Sequence, residues 1–501
     1  MTTEPRQKGF IGHAATYAVG NIARRLVGFV MLPIYTRFLT PADYGVIGLL
    51  TFALALSEPI FGARLARAIP KFYFEAADAH GRRTVIWGAI GLTGVVSAAS
   101  MVLLMLFRGL GSQLLFGDHK YALALGLFSV NLLAQPIETT GMMYVRLKER
   151  SRLFLGISMT KLLLQVALNL LLVVYWKEGV VGAVLSGIIA SVAIGVGLVG
   201  YVAVQETPAF DRHTTWGMVQ FCAPLWLAGL AGLYIGSSGA MYLRIFDSLS
   251  DVGRLELAIK FATVVSALIW MPFFQHWEPI SYRIYKEPDA PRKFQVAFVG
   301  IATLMFVAGL AISIFAQPVT RLMAAKSFYP AAAIVPVLTL AFILNSLRSF
   351  FNFSFLVTGH TKVQSYCLNV PAIIITVAYV VLIPLFALQG AAVAFCGTFL
   401  ASFIHTRRIS RRYYDPGYNV LPIWNFSLIG AVAYLCSNVL LRTSNLGIDL
   451  LIKSFVLLAA SGLMGLVGIR AIREAHATAF DALPWPLSRL GQIAWIGRGA
   501  P

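Results

Sequence analysis

Runs of about 20 apolar residues, separated by short polar gaps, recur along the whole chain. A helix rising about 1.5 Å per residue needs roughly that length to cross the hydrocarbon core of a bilayer. The pattern predicts fourteen helices, near residues 10–35, 44–66, 84–106, 120–144, 153–175, 180–203, 217–240, 253–276, 294–316, 331–355, 364–385, 388–404, 424–441 and 446–469. The fold class is therefore all-α and polytopic. An even count of helices puts both termini on one side.

A second periodicity lies above the helices. After helix 1, Arg37-Phe38-Leu39 leads into Asp43-Tyr44-Gly45; after helix 7, Arg244-Ile245-Phe246 leads into Asp251-Val252-Gly253. Gly182-Ala183-Val184 and Gly390-Ala391-Ala392-Val393 form another such pair. Both glycine pairs are 208 residues apart (253 − 45 and 390 − 182). The shared offset predicts two six-helix lobes in parallel repeat plus two extra helices. The expected boundaries are 1–212 for helices 1–6, 213–412 for helices 7–12, 413–470 for helices 13–14, and 471–501 for a tail. Trp485, Leu487, Leu490, Ile493 and Trp495 suit that tail to the membrane surface. Parallel repeats place a substrate site where the halves meet, with rocking giving alternating access.

Composition agrees with a membrane protein: of 501 residues, 58% are hydrophobic and 12% charged, about half the usual charged share. A net charge of +19 would suit nucleic acid in a soluble chain. Here topology explains it. Of 40 Lys and Arg residues, 24 fall on the side of the termini, nine opposite and seven within helices. The positive-inside rule then puts both termini in the cytoplasm; the expected location is a bacterial inner membrane, and no nucleic-acid partner is expected. The N-terminal apolar run is broken by Arg24 and Arg25, and no cleavable signal is expected. Cys222, Cys367, Cys396 and Cys436 form no CxxC pair, so neither disulfides nor a metal is indicated.

Ionisable groups inside a bilayer are costly and usually face a cavity or a partner. Several lie on polar stripes at helical spacing. Helix 4 has Asn131, Gln135 and Glu138; helix 5 has Lys161, Gln165 and Asn169. Helix 8 has Glu256, Lys260 and Thr263, helix 10 has Asn345, Arg348 and Asn352, and helix 1 has Asn21, Arg24 and Arg25. Arg24, Arg25, Arg64, Lys161, Lys260 and Arg348 outnumber Glu58 and Glu138, which favours an anionic headgroup such as a pyrophosphate. These six cations are the candidate substrate-binding residues. The alternative for each is structural: Arg64 and Lys161 near helix ends suit snorkelling, and Glu256 with Lys260 suits an i, i+4 pair. Glu58, before Pro59, and Glu138, after Pro136, are candidates for ion coupling; pairing with a nearby Arg is their structural alternative.

Other motifs point away from catalysis. Gly195-Val196-Gly197-Leu198-Val199-Gly200 fits GxGxxG but sits inside a membrane helix with no strand before it, where packing is the better reading. No Walker A sequence occurs, and no large external loop offers room for a glycosyltransferase or polymerase site. No enzymatic activity and no cofactor are expected.

The stretch from Leu32-Pro33-Ile34-Tyr35-Thr36-Arg37-Phe38-Leu39 to Thr40-Pro41-Ala42-Asp43-Tyr44-Gly45 resembles the helix 1–2 junction of Wzx-type polysaccharide flippases. Thr358-Gly359-His360-Thr361-Lys362, Leu382-Ile383-Pro384-Leu385 and Gly390-Ala391-Ala392-Val393-Ala394 resemble that family's later junctions. The resemblance spans the first twelve helices in order. It implies the multidrug/oligosaccharidyl-lipid/polysaccharide exporter superfamily and a flippase carrying undecaprenyl-pyrophosphate-linked oligosaccharide by alternating access, for surface polysaccharide biosynthesis. The partners it implies are that lipid-linked oligosaccharide, membrane lipids, and the polysaccharide polymerase and chain-length machinery. Arg25-Leu26-Val27-Gly28-Phe29 resembles an Arg-x-x-Gly-Phe of the lipid II flippases, in which the arginine faces the cavity. The acidic residue that follows there is replaced by Met31 and Leu32, and a late helix 7 Asp-Arg pair by Gly239-Ala240. The competing readings are a multidrug or small-molecule exporter of the same superfamily, which would favour a carboxylate-rich cavity, and an envelope polymerase or ligase.

Overall fold

The computed structural model describes residues 31–60, 65–441, 443 and 445–474. Arg24, Arg25, Arg64 and the tail beyond residue 474 lie outside the described residues, as does most of helix 1. The elements are α1 (Leu32–Phe38), α2 (Pro41–Ile60), α3 (Ile69–Glu75), α4 (Ala79–Leu106), α5 (Arg108–Phe116), α6 (Ala122–Phe128) and α7 (Val130–Leu147). There follow α8 (Ser151–Asn169), α9 (Gly179–Gln205), α10 (Arg212–Phe246), α11 (Leu249–Val265), α12 (Met271–Ile284) and α13 (Ala290–Met323). The last are α14 (Ala331–Val357), α15 (Thr361–Ser410), α16 (Leu421–Leu435) and α17 (Leu446–Glu474). π-Helical turns extend α8 over Leu170–Tyr175 and α16 over Cys436–Leu440, and Ser266–Trp270 joins α11 to α12. No strand occurs among the described residues, and ten of their helical segments are long and apolar enough to cross a membrane.

Within the described residues the predicted helices are present, and several start earlier than their apolar runs. Asp78 caps α4 by accepting from the Gly81 N–H at 2.7 Å, and Asp211 caps α10 by accepting from the Thr214 N–H at 2.8 Å. A cap satisfies the first free N–H groups, so the helix extends past the membrane boundary into polar sequence. The short α5 was not expected from the pattern. It is stopped by Gly117 at φ +72°, whose N–H closes on the Gln113 carbonyl.

Two compact units divide the chain. The first is Met1–Glu256 with Met323–Ser327; the second is Leu257–Leu322 with Phe328–Pro501. This division is offset from the 212/213 repeat boundary because α10 packs along α2 and α4. The core of the first unit joins Leu65, Ile69 and Tyr73 to Val85, Trp87, Tyr144, Val202 and Met218. The second unit is built on aromatic contacts. Phe298 lies 5.3 Å from Phe350 and 5.0 Å from Tyr418, ring centre to ring centre, and Trp277 meets Phe294 edge-on at 5.4 Å. Ile423 and Phe426 of α16 and Ala460 and Met464 of α17 join this core, so the two extra helices belong to the second unit.

The repeat shows in the backbone. α15 is two helices joined at Ala387, whose φ of 48° and ψ of −126° leave the helical region. The residue 208 positions earlier is Gly179, at φ +56° in the hairpin between α8 and α9. Both hairpins therefore turn on a positive-φ residue at the same repeat position, and only one uses the residue suited to it. Ala387→Gly is expected to relieve about 1–3 kcal/mol of backbone strain against about 0.4–1 kcal/mol of added unfolded-chain entropy. Thermal unfolding of the detergent-solubilised protein should shift upward for Ala387→Gly and downward for Gly179→Ala.

Candidate functional site

In the first unit the polar stripes of α7 and α8 meet. Lys161 Nζ donates to Glu138 Oε2 at 2.5 Å, with Glu138 7% exposed. Pro136 lies within α7 shortly before Glu138, where it removes a backbone N–H from the helical ladder. Two turns along α8 from Lys161, buried Asn169 accepts a hydrogen bond from the Tyr35 hydroxyl at 2.8 Å and donates to the Gln165 carbonyl at 2.8 Å. Asn131 Oδ1 on α7 is buried without a partner. A candidate substrate cation and a candidate coupling acid are thus brought together as one ion pair. Glu58 lies in α2, and its side chain is outside the described residues.

The GxGxxG stretch lies in α9, where Gly195 and Leu198 pack against α7 while Gly197 and Gly200 are exposed. Gly195 sits over the Ala134 carbonyl of α7, where an added Cβ would lie 3.5 Å from that oxygen. Leu198 fills the space beside Gly141 in the same interface.

On the Lys/Arg-rich side of this unit, Glu206 follows the end of α9. Its Oε1 accepts from Lys148 Nζ at 2.8 Å and from the Tyr144 hydroxyl at 3.0 Å, and its Oε2 from Arg83 Nε at 3.4 Å. Its backbone carbonyl accepts from Trp87 Nε1 at 3.1 Å. Burial would raise the Glu206 carboxyl, but the bonds from Lys148 and Tyr144 outweigh it and hold the group below its ordinary value. This hub ties the starts and ends of three helices. Sequence reasoning missed it, because its partners are 58 to 123 residues away.

The second unit carries Lys260, Arg348, a further ion pair and a cavity. Lys260 is half-buried on α11. Arg348, 9% exposed on α14, donates to Ser402 Oγ in the second arm of α15 at 2.5 Å. Lys453, 1% exposed on α17, donates to Asp449 Oδ2 at 2.7 Å. Opposite charges at i, i+4 in an apolar helix were the available signal for that pair. Beside it in chain order, α13, α14, α16 and α17 enclose a cavity of about 340 Å³, lined by Phe306, Leu310, Pro336, Leu340, Phe426, Gly430, Tyr434 and Met464. Its walls are almost wholly apolar, so it suits a hydrocarbon chain or ring rather than a headgroup.

The fold and its polar groups define a multi-pass helical membrane protein that keeps ion pairs and an apolar cavity within its helices. Known proteins agree. A family model described as polysaccharide biosynthesis protein matches residues 13–285. Among solved structures, the lipid II flippase MurJ in an inward closed conformation is similar at a TM-score of 0.70 and 12% identity, covering 90% of this chain and 98% of that one. A point mutant of the Vibrio cholerae MATE transporter VcmN is similar at 0.51 and 14%, covering 82% and 98%. A MATE transporter in the straight conformation matches at 0.51 and 15%, covering 81% and 95%. A search of curated proteins finds no match. The chain belongs to the polysaccharide biosynthesis protein family, and its fold is that shared by the flippase and the MATE transporters.

Two outcomes are expected from the charged groups. Breaking the buried pair by Glu138→Leu alone should cost about 3–5 kcal/mol, because Lys161 is left uncompensated. The double variant Glu138→Leu/Lys161→Met should recover most of that stability in thermal unfolding, and its transport then reports whether the pair acts beyond packing. For Glu206, a carboxyl held below its unfolded value adds stability above the unfolded pKa and loses it as pH falls through the folded one. The wild type should therefore weaken as pH falls below 4.5, the ordinary value. Glu206→Gln should flatten that limb and lower stability at neutral pH by about 1 kcal/mol.

Proposed function

We propose that the protein is a flippase that carries an undecaprenyl-pyrophosphate-linked oligosaccharide across a bacterial inner membrane by alternating access, for surface polysaccharide assembly. The observation that carries this reading is the match of residues 13–285 to the polysaccharide biosynthesis family. The apolar cavity of the second unit supports a cargo with a hydrocarbon part. The excess of cations over acids within the spans supports an anionic headgroup. Both termini are proposed to be cytoplasmic, on the side where 24 Lys and Arg residues fall. The polymerase and chain-length machinery of the same route are proposed partners.

Arg24, Arg25, Arg64 and Lys260 are proposed as the headgroup contacts. Lys161 and Arg348 are each held by a partner within their own unit, Glu138 and Ser402. We assign them to shaping the site before they touch substrate. Coupling to an ion gradient through Glu58 or Glu138 belongs to the same proposal, and for Glu138 it requires the Lys161 pair to open during the cycle.

The test is the amount and sidedness of lipid-linked oligosaccharide in membranes after deleting the gene. Accumulation on the cytoplasmic leaflet is expected, rescued by wild type but not by Arg25→Ala. Gly430→Phe fills the cavity wall and is expected to rescue poorly, although its level in the membrane matches wild type. Unchanged intermediates with altered drug sensitivity would overturn the proposal in favour of a small-molecule exporter.

A further inference from the structure

Arg348 lies within a span, on α14, among residues that offer it no opposite charge. Its Nη1 donates to Ser402 Oγ, while its Nε is buried without a partner. Its electrostatic neighbour is the Cys367 thiol on the first arm of α15. Of the described carboxylates of this unit, Glu287 and Asp289 hold Lys293, Asp415 holds Arg411, Asp449 holds Lys453, and Glu278 is exposed on α12. Among the described residues, no carboxylate forms an ion pair with Arg348. A guanidinium taken out of water is strongly disfavoured unless a counter-charge and hydrogen bonds replace its hydration. One serine does not meet that demand.

The same two helices carry further orphans. Asn352 Oδ1 lies one turn beyond Arg348 on α14, and His405 Nε2 and Thr406 Oγ1 lie one turn beyond Ser402 on α15. Thr406 is fully buried. Next to them Phe351 and Phe403 pack with ring centres 5.0 Å apart, which fixes the two helices at contact distance. Such a seam has donors in excess. The Arg348 Nε–H and the hydroxyl hydrogens of Ser402 and Thr406 are available, and the Asn352 amide turned about its χ2 presents its NH₂.

We propose that this seam is a binding site for a small monovalent anion of chloride size, held by Arg348, Ser402 and Thr406 and bordered by Asn352 and His405. One negative charge balances the one guanidinium. A phosphate or pyrophosphate would bring more than one negative charge to a single guanidinium. This site is separate from the proposed headgroup contacts, and its test does not use transport.

The test uses the purified full chain in detergent with gluconate as the only anion. Sodium chloride or bromide replaces sodium gluconate at constant ionic strength while thermal unfolding is followed. The apparent Tm is expected to rise and saturate with chloride and bromide. Thr406→Val and Ser402→Ala should raise the half-saturating chloride several-fold, and Arg348→Gln should abolish the increment. If Arg348→Gln does not fold, the Thr406→Val titration decides. Crystals grown in bromide should show an anomalous peak beside the guanidinium. A Tm equal in chloride and gluconate, an increment unchanged in Thr406→Val, or a bromide peak elsewhere would overturn the proposal.

Discussion

A charge that leaves water for the interior of a helical bundle must find an opposite charge or a set of dipoles there, and much of this structure follows from how each charge does so. Glu138 and Lys161 solve the problem across α7 and α8 at 2.5 Å; Asp449 and Lys453 solve it along α17 at 2.7 Å. Such pairs add little net stability over an apolar replacement, but breaking one is costly. They therefore penalise every arrangement in which the partners part. Farther along α8, Asn169 is held through its side-chain oxygen by Tyr35 of α1 and through its nitrogen by the Gln165 carbonyl. Arg348 has a single hydroxyl for a partner and a buried Nε without one, short of the same demand, which is why it stands out.

Outside the spans the constraint relaxes, and the ion pairs change in kind. Glu206 gathers Lys148, Tyr144 and Arg83 where water is near, and its contribution is to fix where α4, α7 and α9 end relative to one another. Lys148 and Arg83 remain more than a third exposed at the side chain, so each bond is individually modest. Their convergence on one carboxylate, with Trp87 bound to the same residue's carbonyl, is what makes the hub specific.

The helices were legible in the sequence because an apolar run of span length has few other uses. Their ends were less legible, since Asp78 and Asp211 carry α4 and α10 beyond the apolar boundary. The polar stripes of helices 4 and 5 were readable as stripes, but periodicity alone does not say which stripe meets which. Glu138 was readable as a candidate coupling acid and Lys161 as a candidate substrate contact, but their facing each other was not. Lys453 was visible as a charge within a helix, and Asp449 four residues before it was the missed clue. The 340 Å³ cavity had no sequence signal, because its apolar lining reads the same as core.

The repeat shows how a sequence spacing becomes a physical contact. Gly45 and Gly253 lie 208 residues apart, and in the first unit they face each other where α2 crosses the start of α11. A Cβ on Gly45 would run into the Leu249 carbonyl oxygen, and one on Gly253 into the Pro41 carbonyl oxygen. Those two carbonyls are themselves 208 residues apart, so each helix presents to the other the same glycine and the same carbonyl. That reciprocity is the signature of a local two-fold relation between repeat-related helices. It also explains the residue type: with no Cβ on either side, the backbones approach until each virtual Cβ is 3.0 Å from the other glycine's nitrogen. Gly182 and Gly390 share a different role. Each begins the second helix of its hairpin against a carbonyl ending the first, that of Leu172 or Leu382. The glycines that marked the repeat in sequence are thus positions where the doubled architecture brings backbone against backbone. This physical requirement can hold while the surrounding residues diverge.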